Sequence, residues 1–122
     1  MNKQAAATLK AELRQFTGSE VVYKHPLFPR FIYTEGVKYL AGEAGAYWLL
    51  EYIFSHQVND AIKAQSFQVW KLRVSPKQNA VIRVEDGNDH EVASFNLNFT
   101  DFPLEEITLW LVGNTLLLPG EY

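Results

Sequence analysis

Acid–base chemistry needs a carboxylate, phenol or imidazole held beside a substrate, and Tyr33, Glu35, Glu43, Glu51 and Asp101 are the residues here that would supply one. Their spacing fits no known catalytic pattern. The three histidines do not converge either: His25 precedes Pro26, His56 ends a helix-forming run, and His90 lies in the polar stretch "EDGNDH". None has the i, i+4 spacing of a helical metal pair, and HExxH is absent. Asp86, Asp89, His90 and Glu91 read as a solvated acidic turn rather than a cation site. Ser55 and His56 are neighbours in sequence, which does not make a nucleophile and its base. There is no cysteine, which removes thiolate metal ligands, disulfides and thiol nucleophiles together.

"AGEAGA" at 41–46 is the only glycine-rich stretch resembling a phosphate loop. It lacks the dinucleotide fingerprint and the lysine after the last glycine, and Glu43 would repel a phosphate. Gly42, Ala44, Gly45 and Ala46 instead predict a helix that starts tightly against the strand before it. No cofactor, metal or catalytic set is therefore assigned, and the reading favours a non-enzymatic protein that acts through its surfaces. A small-ligand-binding protein or enzyme with a helix–sheet pocket near Tyr33, Glu43, Trp48 and Glu51 is the first alternative.

The elements that position these residues follow from periodicity. Residues 4–16 form a short amphipathic helix with Leu9, Leu13 and Phe16 in line. Val21 to Tyr23 suit a strand, and Phe31–Thr34 with Val37–Ala41 read as a hairpin turning at Glu35-Gly36. A second helix runs from about residue 44 to about residue 57. From Ser66 the period becomes two: Gln68, Trp70, Leu72 and Val74 oppose Phe67, Val69, Lys71 and Arg73. "VASFNLNF" alternates in the same way, and "ITLWLV-GN-TLLLP" is a hairpin on a Gly113-Asn114 turn. The expected architecture is one α+β domain over 1–122, a mainly antiparallel sheet of about five to eight strands with two helices on one face.

On that second helix, Ala46, Tyr47, Leu49, Leu50, Ile53 and Phe54 share a core arc, while Trp48 and Tyr52 fall beside Glu51 and Ser55. The first helix covers those two rings, or they belong to an interface, or they floor a small-molecule pocket. The last hairpin poses the same question, because Trp110 and Leu117 make its second face apolar too. A homodimer, or an unknown protein partner, meeting Trp48, Glu51, Tyr52, Trp110 and Leu117 is the expected use of these surfaces.

Hydrophobic residues make up 48% and charged residues 20% of 122 positions, and the net charge is −3, a globular balance that disfavours polyanion binding by the whole surface. A basic strip of Lys71, Arg73 and Arg83 leaves a nucleic-acid-binding sheet face as the second alternative, although only Phe67 interleaves an aromatic ring. No run approaches the ~20 apolar residues of a membrane span, and "MNKQAAATLKAELRQF" is not a signal peptide. The expected location is cytoplasmic, away from membranes.

"YTEGVKYLAGEAGAYWLLEYI" resembles a family of short bacterial and phage proteins of unknown function. The resemblance extends through "LKAELRQFTGSE", "HPL", "FQVWKLRV" and "DFPLEEITLWLVGNTLLLP". It implies a small protein of phage or mobile-element setting, a class rich in binders and inhibitors of host machinery. It brings no activity, cofactor or catalytic residue.

Overall fold

The structure is a computed structural model and describes residues 1–18 and 20–122. Helix α1 (Lys3–Leu13) starts at Asn2, whose side chain accepts from the Ala5 amide at 2.7 Å, and it buries Leu9 and Leu13. Strand β1 (Val22–Lys24) pairs antiparallel with β2 (Ile32–Thr34).

The chain does not turn back after β2 as a hairpin. Thr34 is instead the N-cap of helix α2 (Glu35–Ala44), accepting from the Val37 amide at 3.4 Å. Val37, Leu40 and Ala41, at helical rather than alternating spacing, bury against the sheet. The "AGEAGA" stretch correspondingly ends one helix and, at Ala46, caps the next, so the element before it is a helix and not the expected strand. Gly45 sits at φ +61°, and both its amide and that of Ala46 donate to the Ala41 carbonyl, closing α2 with a Schellman turn. A Cβ on Gly42 would meet nothing within 4 Å, so no close approach explains that glycine.

Helix α3 (Tyr47–Ser55) follows, burying Leu49, Leu50, Ile53 and Phe54. Tyr47 was expected on the core arc, but a start at residue 47 leaves it in the exposed first turn, 39% accessible. A 3₁₀ turn (His56–Val58) leads to α4 (Asp60–Lys63), which is capped by Asn59. The described residues thus hold four α-helices rather than two.

Strands β3 (Phe67–Val74), β4 (Ala80–Asp86), β5 (Glu91–Leu97), β6 (Glu106–Val112) and β7 (Thr115–Leu117) complete a seven-stranded sheet in the order β1-β2-β7-β6-β3-β4-β5. Only β2–β7 is parallel. Val112 opposes Thr115 across a turn with Gly113 at φ +60°, the register the sequence predicts.

The helices lie on one face of this sheet. Trp70, Leu72, Ile82, Val84, Leu109, Leu111 and Leu116 project into that layer and meet Leu40, Leu50, Ile53, Phe54 and Ile62. Phe31 stacks on Phe54 with centroids 4.9 Å apart. Burial of side chains this size contributes about 1.5–3 kcal/mol each. His25 belongs to this core: its ring lies among Phe28, Phe54 and Tyr33, and its Nδ1 accepts from the Leu27 amide at 3.1 Å.

Candidate functional site

The other face of the sheet carries no helix. Alternation sends Phe67, Val69, Lys71 and Arg73 of β3 to it, with Val81, Arg83 and Glu85 of β4 and Thr108, Trp110 and Val112 of β6. At one end, the rings of Phe67, Trp110 and Tyr122 form a triangle with centroid distances of 5.1, 5.5 and 5.7 Å, and both Tyr122 contacts are edge-to-face. Tyr122 is 75% accessible, while Phe67 and Trp110 are half-buried.

At the other end the charges compensate one another. Lys71 Nζ lies 2.9 Å from Glu85, Arg83 Nε lies 2.8 Å from Glu91, and Arg73 lies 3.2 Å from Glu106. Glu85 is the buried member, and its Oε1 is held by the Lys71 charge without a directed hydrogen bond. A polyanion approaching Lys71, Arg73 and Arg83 meets three matched carboxylates on the same face.

A second feature lies on the helix side. Phe16, Tyr23, Tyr39 and Tyr47, with Glu35, Lys38 and Glu43, line a groove of about 450 Å³ along the outer side of α2. Lys38 Nζ stands 4.1 Å above the centre of the Tyr23 ring. The Tyr39 hydroxyl donates to Glu12, and that bond, with the Glu12 and Glu43 charges, pushes its pKa up to about 12.

The residues singled out by sequence separate accordingly. Of the pocket candidates Tyr33, Glu43, Trp48 and Glu51, only Glu43 lines this groove. Tyr33 is buried in the core; burial first, then Tyr47 and Tyr23, raises its phenol pKa. Trp48 and Tyr52 are half-buried rather than solvated. Helix α1 packs on α2, and the neighbours of Tyr52 are His56 at 4.3 Å and Phe95 of β5 at 5.9 Å. Burial raises the Tyr52 pKa. Leu117 is 6% accessible, so its own chain already covers it, whereas Trp110 keeps accessible surface on the open face. Asp101 and His90 are exposed and lie outside the groove, which Glu35, also exposed, shares with Glu43. Among the described residues no three His, Asp or Glu side chains are placed to hold a metal ion, and no helix is long and apolar enough to cross a membrane.

Sequence reasoning missed Tyr122 and Tyr23. Tyr122 follows a 3₁₀ turn (Pro119–Glu121), where no periodic pattern signals a face. Tyr23 is visible as a strand residue, but its groove exists only once residues 35–44 are a helix.

No curated protein and no solved structure matches the chain. Residues 7–122 match a family of unknown function, DUF6876. The chain belongs to that family, DUF6876.

Proposed function

We propose that the protein is a non-enzymatic self-associating module in which two copies meet through the open face of the sheet. The observation that carries this reading is the one-sided layering: helices cover one face, and the Phe67–Trp110–Tyr122 triangle stands on the other. Trp and Tyr are the side chains that dominate interface energetics. The matched pairs Lys71–Glu85, Arg83–Glu91 and Arg73–Glu106 make the charged end near neutral, which suits a second copy better than a strongly charged partner. Strands β5, β4, β3, β6 and β7 offer a face of roughly 24 by 23 Å, the same order as the ~800 Å² per partner of a standard interface. Light scattering tests the reading: the expected mass is twice 14.0 kDa, and Trp110→Glu is expected to give a soluble monomer.

The α2 groove favours a second reading, a small amine ligand. Lys38 already sets an ammonium over Tyr23, and Glu43 and Glu12 give the Tyr39 end a negative field. Titration with an alkyl diamine, followed by tyrosine fluorescence, is expected to saturate in the wild type and to weaken in Glu43→Gln. A linear response in both ends this reading.

A further inference from the structure

We propose that Glu121 is a positioning residue that fixes the Tyr122 ring on the open face, so that a contact made at the start of α2 governs a surface on the far side of the sheet. This rests on the reading that two copies meet through that face. The Glu121 carboxylate accepts from the Thr34 hydroxyl at 2.6 Å, the Leu118 amide at 3.0 Å and the Gly36 amide at 3.1 Å. It therefore sits on the free Gly36 amide in the first turn of α2, where a negative charge is favoured. The fit is close: a Cβ on Gly36 would lie 2.6 Å from Glu121 Oε1 and 2.7 Å from Leu118 Cδ1. Gly36 has no positive φ, so the space left for the carboxylate explains this glycine. A Cβ on Gly120 would stand 3.2 Å from the Phe16 carbonyl oxygen, so the C-terminal segment also runs close to the backbone that follows α1.

Tyr122, the next residue, meets Trp110 and Phe67 in T-shaped contacts and stays 75% accessible. Two T-shaped contacts do not match the freedom lost when residues 119–122 are ordered. The 3₁₀ turn bonds Glu121 N–H to Leu118 and Tyr122 N–H to Pro119, and the three bonds of the Glu121 carboxylate anchor that turn to the helix start, so the tyrosine is carried with it. The exposed ring is then presented to a partner already ordered, which lowers the cost of burying it on association.

The test uses Glu121→Ala, Tyr122→Ala and the double variant. Two readouts are needed: the Tyr122–Trp110 ring NOE in dilute protein, and the dimer dissociation constant from sedimentation equilibrium. Loss of the NOE in Glu121→Ala is expected, with about tenfold weaker association in each single variant and no further loss in the double. Gly36→Ala keeps the carboxylate but fills its cradle, and it should reproduce the Glu121→Ala result. Glu121→Gln retains one acceptor oxygen, so it should fold and give an intermediate loss. An intact NOE in both Glu121→Ala and Gly36→Ala overturns the positioning role, as do additive losses in the double variant. A wild type that stays monomeric, with the NOE present and lost in Glu121→Ala, supports the positioning role and overturns self-association.

Discussion

Gln57 and Gln68 exchange reciprocal side-chain hydrogen bonds of 2.9 and 2.8 Å inside the core, joining the 3₁₀ turn after α3 to strand β3. Both hydrogens of each amide are committed, and the Gln68 oxygen accepts twice. Gln57 also donates to the Ile53 carbonyl, and Gln68 donates to the Ile62 carbonyl and accepts from the Trp70 indole at 2.9 Å. Trp70 is 2% accessible, so its N–H depends on that amide rather than on water.

Removing one member strands its partners. Gln68→Ala is expected to destabilise the fold by about 3 kcal/mol, because it opens a cavity, leaves the Trp70 N–H unpaired and takes both Gln68 bonds from the Gln57 amide. Gln57→Ala should cost about 2 kcal/mol, and the double variant clearly less than the sum. Urea denaturation of the four proteins measures this, and strict additivity would show that the two amides act independently.

Tyr39 gives an alkaline signature. Its folded pKa is raised, first by the hydrogen bond to Glu12, from 10.0 to about 12. The contribution of this phenol is complete below its unfolded pKa and is lost as pH rises from 10.0 toward about 12, because the unfolded chain ionises first. Stability of the wild type should fall across that window more steeply than that of Tyr39→Phe. Absorbance titration at the tyrosinate band should also lose one late-titrating phenol in Tyr39→Phe.

The ion pairs of the open face differ in worth by burial. Lys71→Ala leaves the Glu85 carboxylate, whose side chain is 11% accessible, without its cation. A loss of about 1–2 kcal/mol is expected, reduced from the fully buried case because Lys71 is half exposed. Arg73→Ala breaks a pair exposed at both ends and should cost under about 0.5 kcal/mol. Equal costs in thermal melts would contradict this ranking.

Gly45 is the position where backbone freedom is required. At φ +61° a side chain is strained, although nothing lies within 4 Å of its Cβ. Gly45→Ala is therefore expected to cost about 1 kcal/mol through the backbone alone, and Gly42→Ala to be neutral or stabilising in the helix interior.

Period-two alternation made β3 and β5 legible, and with them the identity of both sheet faces, since one buried face fixes where every second side chain points. The Gly113-Asn114 turn fixed the β6–β7 register in the same way. The stretch after Thr34 misled because Gly36 reads as a turn residue. It stands inside a helix on account of a carboxylate 85 positions away, a reason no local pattern carries. Thr34 as N-cap, Glu35 in the first turn and Gly45 after the last periodic residue were readable helix signals at the same place. The basic strip was equally visible, yet its partners Glu85, Glu91 and Glu106 come from two neighbouring strands and its own, and only the strand order brings them together. Tyr122 was unreadable because its place depends on where Glu121 docks.

The helix-free face is proposed above as a contact between two copies. Sedimentation equilibrium of the wild type and Trp110→Glu, up to about 1 mM, tests it most directly. Association through this face gives a wild-type mass rising to twice 14.0 kDa and a variant that remains at 14.0 kDa with an unchanged far-ultraviolet spectrum. A wild type that stays at 14.0 kDa throughout, or a Trp110→Glu variant that dimerises equally well, contradicts it.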